Sequence, residues 1–410
     1  MSIKHIASSV RRQRMMPILL IAQVALTCAI LGNTLFLLGQ RLAPMLVPDG
    51  IVRDEVLVVD QVVSTEGNWK STDVRAARMA LASIPGVRVV SQSLGVPMRQ
   101  TFNLAFSLEG PTGVSLIASG FAGDHLIQAL GLQLEAGRDF TAEEGVDIFG
   151  GDKDNAPPMP VIMTRALADR LFPDGGALGS VLSDPDGDSS GYRVVGIVRH
   201  LLRYQMSELD DGKSEYSMLV PTHDAGTPIL SYVLRTDPDR RESVKQAIPD
   251  VLKRSFGQRI MRGIEPAVAT YEDLRALGFK SRRASVWLLA VVNLVVATIT
   301  AIGIASLTGY WIAQRTRQIG VRRALGATRG QILRDFLLEN FLLVSAGLVL
   351  GMGLAYGTNQ LLMAHYALPR LPLGYLPIGA ALLWALGQFA VFWPARRAAA
   401  IEPAIATRGA

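Results

Sequence analysis

Apolar positions in this chain gather into four long stretches, and between the first two lies a long segment of shorter, alternating periods. Pro17 to Leu38, Trp287 to Ile312, Phe336 to Leu362 and Leu376 to Trp393 each approach the ~20 apolar residues that cross a ~30 Å hydrocarbon layer. They predict membrane helices over 17–40, 284–313, 336–362 and 376–394, with a short loop at 363–375. Basic residues precede the first stretch as in a signal peptide. It is longer than a signal's apolar segment and no small-x-small cleavage site follows closely, so it reads as a retained anchor.

Residues 41–283 read as one α+β domain inserted between the first two membrane helices. Glu55 to Val63 is strand-like, Thr72 to Ile84 has helical spacing with Thr72 or Asp73 as cap, and Pro85-Gly86 ends it before a strand at Val87 to Ser93. That order predicts a β-α-β unit. Further strands are predicted at Thr101–Leu108 and Gly113–Ser119 around Glu109-Gly110-Pro111, and at Val161–Met163, Tyr192–His200 and Ile229–Arg235. Helices are predicted at Asp124–Leu130, Thr164–Phe172 and Asp239–Phe256. Gly145 to Pro160 is polar and glycine-rich and reads as a mobile loop. About 240 residues suffice for a full core in two subdomains.

Charge supplies the orientation. Residues 41–283 hold 27 Lys and Arg against 32 Asp and Glu, a net of −5, whereas the rest holds 14 against 3, a net of +11. The basic excess is thus a topology signal and not a nucleic-acid footprint. Lys4, Arg11, Arg12 and Arg14 precede the first helix, Arg396, Arg397 and Arg408 follow the fourth against Glu402, and the 363–375 loop has only His365 and Arg370. Positive loops stay inside, so both termini and the 314–335 loop are expected in the cytoplasm and 41–283 outside it, across a bacterial inner membrane. Residues 1–16, with Ile3, Ile6, Ala7 and Val10 on one face, read as a helix lying on the cytoplasmic interface.

The densest run is RTRQIGVRRALGA at 315–327. Ile319, Arg322, Arg323 and Gly326 recur at helical spacing, which predicts a short surface helix ended by Gly326. Thr328 and Gln331 fit a capping box for a second helix that continues into the third span. Arg315 and Arg317, nearest the second span, suit headgroup anchoring equally well. Tyr271 to Ile312 contains no proline and predicts a continuous rod of roughly 60 Å.

The ending RTRQIGVRRALGATRGQILRDFLLEN with PARRAAAIEPAIATR resembles the FtsX-type permease domain. GLQLEAGRDFTAEE, PVIMTRALADRLFP and YRVVGIVRH resemble the periplasmic core domain of MacB-type exporters. The resemblance implies a non-catalytic permease subunit whose Arg315, Arg317, Ile319, Gly320, Arg322, Arg323, Ala324, Leu325, Gly326 and Ala327 couple to an ATPase. MacB carries its ATPase in the same polypeptide; this chain has no G-x-x-x-x-G-K-[ST] run, so ATP and Mg are expected on a separate partner dimer. A second permease copy, identical or homologous, a periplasmic adaptor, an outer-membrane channel and membrane lipids complete the implied partners, with a peptide, antibiotic or lipid-like cargo. An FtsX-like scaffold that activates a cell-wall hydrolase, or a lipoprotein-release permease, is the alternative.

The remaining candidates read as structure. Gly347/Gly351 and Gly353/Gly357 have the four-residue spacing of close helix packing. Asp184-Pro-Asp186-Gly-Asp188 mimics a calcium loop but has Ser189 and Val195 where the loop needs Gly and Glu, so it reads as a hairpin turn. Glu339 and Asn340 either face the bundle or sit at the interface. Cys28 is a small hydrophobe, and the five histidines make no ligand spacing.

Overall fold

A computed structural model describes residues 15–99, 103–145, 157–186, 190–204, 213–222, 226–366, 371–372 and 374–400. The interfacial helix expected over 1–16 falls outside them save its last two residues, and the tail beyond 400, most of the Gly145–Pro160 loop and the start of the Thr101 strand also fall outside. In chain order the elements are α1 (Met15–Leu46), β1 (Val56–Val63), α2 (Ser71–Ala82), β2 (Val87–Gln92), β3 (Leu104–Glu109), β4 (Ser115–Gly123) and α3 (Leu126–Leu130). There follow β5 (Leu134–Gly137), β6 (Met159–Thr164), α4 (Arg165–Leu171), β7 (Val181–Leu182), β8 (Tyr192–Val198), β9 (Ser217–Pro221) and β10 (Ile229–Thr236). The rest are α5 (Arg241–Phe256), β11 (Ala267–Thr270), α6 (Tyr271–Gly278), α7 (Lys280–Gln314), α8 (Thr316–Ala324), α9 (Arg329–Tyr366) and α10 (Tyr375–Ala399). They form two compact units, Ala43–Arg282 and the remainder.

The Ala43–Arg282 unit stacks two sheets. A four-stranded sheet has the order β11-β1-β10-β2, and the larger one runs β3-β4-β9-β6-β8-β5 with β7 on β8. β1 reads VLVVDQVV because both its faces are covered. Leu57, Val59 and Val62 pack with Val74 and Leu81 of α2 and Ile248 and Leu252 of α5. Val56 and Val58 pack with Phe121, Ile162 and Leu219 of the larger sheet. The outer face of that sheet buries Val161, Met163 and Val194 against Leu167 and Leu171 of α4.

The expected β-α-β order is present, but β1 and β2 are not neighbours. β10 lies between them, antiparallel to both, as Val233 pairs with Val58 on one side and Ser91 on the other. The unit is a split β-α-β, completed by a strand 140 residues downstream that no local signal connects to it. Two expectations are corrected, one a helix cap and one the unbroken rod. Lys70 occupies the N-cap of α2 with no side-chain bond, and Asp73 inside the first turn instead pairs with Arg259 at 2.8 Å. The rod breaks at Phe279, with φ −91° and ψ 2°, because its ring is buried with Met98 and Leu202. α7 alone, at 35 residues, makes ~52 Å.

The other unit is a bundle of α1, α7, α9 and α10, each long and apolar enough to cross a membrane. Val24 and Cys28 of α1, Ile304 of α7, Val344 and Leu348 of α9 and Leu383 and Val391 of α10 make its centre. Polar side chains inside it bond across helices: Thr27 with Thr300 at 2.9 Å, Thr34 Oγ1 to Asn293 Oδ1 at 2.8 Å, and Asn33 Nδ2 to the Ala355 carbonyl at 3.1 Å. α1 and α9 approach closely where α9 carries glycine. A Cβ on Gly347 would lie 2.8 Å from Val24 Cβ, and one on Gly351 would meet Cys28 and the Ala25 carbonyl. Gly353 and Gly357 face open space, with no described side chain of this chain packed on them.

Candidate functional site

The sequence-predicted site residues converge on α8, a nine-residue helix between α7 and α9. Its end is set by Gly326, whose φ of +98° permits a left-handed turn. The Gly326 amide donates to the Arg323 carbonyl and the Ala327 amide to the Arg322 carbonyl, both at 3.1 Å, which is the paired closure of a Schellman motif. Two residues later α9 begins in a capping box: Gln331 N donates to Thr328 Oγ1 at 3.2 Å, and Thr328 N donates to Gln331 Oε1 at 3.0 Å. A tight stop and a defined start hold the corner to a few residues.

One side of α8 is fixed to the bundle. Ile319 is buried with Ile312 of α7, Ile332 of α9 and Ala398 and Ala399 of α10. Arg323 Nη1 donates to the Ala399 carbonyl at 3.0 Å, and Arg322 pairs with Asp335 at 3.4 Å. Arg315 turns inward: its guanidinium bonds both Glu339 oxygens at 3.2 Å and lies 4.5 Å from the Trp311 ring centroid. It is therefore a clamp between α7 and α9 and not a headgroup anchor, and Glu339 faces the bundle as its counter-ion. Asn340 does the same on the next position, donating Nδ2 to the Gly387 carbonyl at 3.2 Å.

The other side of α8 is open. Arg317, Arg322, Ala324, Leu325 and Gly326 are exposed, and so is Val321. Leu325 is 84% exposed and Val321 46%. Ile319 and Gly320, counted among the partner-facing residues from the sequence, are buried and serve as the helix's base, and Ala327 is half-buried. Val321 lies within the run 319–327 and, two residues from Ile319, falls on the opposite side of the helix, with Leu325 four residues on from it.

A second set of signature residues meets in the Ala43–Arg282 unit. β5 and β8 pair with Gly137 opposite Gly196, and a Cβ on Gly196 would lie 2.6 Å from the Arg138 carbonyl. Arg138 Nη1 and Nη2 grip both Glu144 oxygens at 2.7 and 2.6 Å, and the Thr141 amide donates to Glu144 at 2.9 Å. The bond from Arg138, then that amide, hold the Glu144 carboxyl down at about 2. GRDF, TAEE and YRVVGI are thus one clamp, and LADRLF is α4, which packs beneath it. Asp184 accepts from Tyr192 Oη at 3.1 Å beside the antiparallel β7–β8 pair, while residues 187–189 of the expected turn lie outside the described residues.

Where the segment after α1 enters this unit, Asp49 is buried and accepts from Arg53 Nε at 2.9 Å and Arg275 Nε at 3.0 Å. Arg275 also donates to the Met45 carbonyl at 3.1 Å and stacks on Phe279 at 4.9 Å. The entering segment is thereby tied to α6, the helix that precedes α7.

Comparison with known proteins places this arrangement. Residues 290–403 match the FtsX-like permease C-terminal family. The chain is 24% identical over 364 residues to the ABC transporter permease YknZ of Bacillus subtilis, covering 87% of this chain and 83% of that one. It is 25% identical over 286 residues to the macrolide export ATP-binding/permease protein MacB of Chromobacterium violaceum, covering 65% of this chain. It is 33% identical over 183 residues to MacB of Bradyrhizobium diazoefficiens, covering 43% of this chain. The chain spans 42% and 27% of those two MacB proteins. It is also similar to the solved periplasmic region of MacB from Actinobacillus actinomycetemcomitans, at 14% identity and a TM-score of 0.37 over 56% of this chain and 94% of that one. The chain is thus similar to ABC transporter permeases of the MacB/FtsX type, with an FtsX-like permease region at 290–403, four helices long and apolar enough to cross a membrane, and an α/β domain between the first and second.

Proposed function

We propose that this permease is the membrane subunit of an ATP-driven exporter in which its helices transmit motion instead of enclosing a channel. ATP with Mg is hydrolysed on a separate ATPase pair that seats on α8, and the movement reaches the extracytoplasmic domain to expel a peptide, antibiotic or lipid-like cargo. A second permease copy, identical or homologous, completes the pair, and an adaptor with an outer-membrane channel extends the route where the envelope has one. The positive-inside bias of the arginine run supports a cytoplasmic α8 and cytoplasmic termini.

The observation that carries this reading is the two-sidedness of α8. Its inner face is bolted to α7, α9 and α10 through Ile319, Arg315 and Arg323, so a force on it is passed to three membrane helices. Its outer face offers Val321 and Leu325 flanked by Arg317 and Arg322, an apolar centre with a charged rim of the kind that binds a protein partner. Within the extracytoplasmic domain, the bonds at Asp49 and Arg275 tie the segment after α1 to α6.

The test is export and ATP turnover by membranes that contain this chain and its ATPase. Leu325→Asp, at an 84% exposed position, is expected to leave the amount and melting temperature of the permease unchanged. It is expected to cut permease-stimulated ATP hydrolysis at least tenfold, the effect of losing ~1.4 kcal/mol at a contact centre. Undiminished stimulation would remove α8 as the ATPase contact.

A further inference from the structure

A groove of about 470 Å³ runs between α7 and α10, and it ends beside the first residue of α8. One wall is Gly309, Ile312 and Ala313 of α7 with Thr316, the first residue of α8. The other wall is Trp393, Pro394, Arg397 and Ala398 of α10. The floor is shallow in side chains: nothing approaches within 4 Å of the place where Gly309 would carry a Cβ. The α7 part of this wall, Gly309 to Ala313, rises ~6 Å along the helix axis toward the α8 corner.

Three features give the groove a chemistry. Its mouth is cationic, because Arg397 is exposed and, among the described residues, no carboxylate lines the walls. The guanidinium is held 4.0 Å from the Trp393 ring centroid, which fixes it over the groove instead of leaving it to roam. Trp393 is exposed, as are Phe389, Phe392 and Tyr310 nearby in sequence, the aromatic content of a membrane interface. An apolar slot that opens at headgroup depth under an arginine fits an acyl chain below and a phosphate above.

We propose that this groove is a binding site for one anionic phospholipid, whose headgroup pairs with Arg397 and whose acyl chain lies over Gly309 and Ala313. The lipid would then bridge α7 and α10 at the root of α8, so that the site also senses any separation of those helices. The inference rests on the membrane-spanning bundle alone and is independent of the proposed ATPase contact.

Native mass spectrometry of the full chain, released from nanodiscs with equal phosphatidylglycerol and phosphatidylcholine, tests it. The expected result is one phosphatidylglycerol retained per chain in preference to phosphatidylcholine. Arg397→Gln should lower that retention about fivefold, the share of one basic residue at ~1 kcal/mol, and Arg397→Lys should restore most of it. Gly309→Leu, which fills the floor without changing charge, should displace both lipids, whereas Arg396→Gln, outside the walls, should change nothing. Equal retention of the two lipids by the unaltered chain would overturn the proposal, as would equal losses from Arg396→Gln and Arg397→Gln. Displacement of the lipid by millimolar inorganic phosphate would assign the arginine to a soluble anion instead and equally defeat it.

Discussion

Arg315 and Leu325 mark the two uses to which this chain puts residues of one short helix region. Arg315 spends its charge inward on Glu339 and Trp311, whereas Leu325 stands 84% exposed in a place where water gives it no partner. Ile319 sits between these roles, buried under α8, and Ile319→Ala should cost about 2–5 kcal/mol of the helix's attachment. Amide hydrogen exchange across 316–324 would read that loss as faster opening, with the rest of the bundle unchanged. In the extracytoplasmic domain, Glu144 offers a pH signature. Its folded carboxyl is held near 2 by Arg138, below the unfolded value, so the clamp stabilises the domain above pH ~4.3 and is lost as pH falls through about 2. Glu144→Gln should therefore lower the melting temperature at neutral pH, and the gap between variant and parent should close in acid. A gap that persists at pH 2 would deny the clamp its role.

At the scale of elements, the corner between α8 and α9 and the root of α6 are where local chemistry is strictest. Gly326 adopts φ +98°, and Gly326→Ala should cost about 1 kcal/mol or somewhat more and open α8 roughly fivefold more often, again readable by hydrogen exchange. Asp49→Ala would leave Arg275 facing a buried void of charge, and the domain should lose about 3–5 kcal/mol by thermal unfolding. Among the α9 glycines, Gly351→Leu should destabilise the bundle by about 1–3 kcal/mol because Cys28 and the Ala25 carbonyl occupy the space. Gly353→Leu should not, since its surroundings are open.

These elements also show what could be read from the chain beforehand. The four spans, most strands and the capping box at Thr328 were legible because period and cap chemistry are local properties. α9 begins at Arg329, before its apolar stretch at Phe336, because the capping box starts the helix while the sequence is still polar. β5, β7, β9 and β11 were not legible, being two to five residues long and defined by partners far away in sequence. Phe279 was read as mid-helix because nothing local says that its ring will be claimed by Met98 and Leu202. At the site, the residue types were legible and their faces were not. Ile319 and Gly320 are buried and Val321 is exposed within the same run, because motif membership says nothing of which way a side chain turns.

On the scale of the whole molecule, the chain is similar to permeases of the MacB/FtsX type, and in the proposed action another subunit's force enters at α8. The sequence has a single cysteine, Cys28, buried in the bundle, so an added thiol is a clean probe. Cells that carry this chain with Cys28→Ser and Leu325→Cys, together with the proposed partner ATPase, should yield a cross-linked species on treatment with a short bismaleimide. That species should contain the ATPase, and its yield should change between nucleotide-free and ATP-trapped membranes. A Cys placed at the exposed Met79 of α2 in the extracytoplasmic domain should give none. An ATPase adduct from Met79→Cys and not from Leu325→Cys would contradict both the orientation and the mechanism.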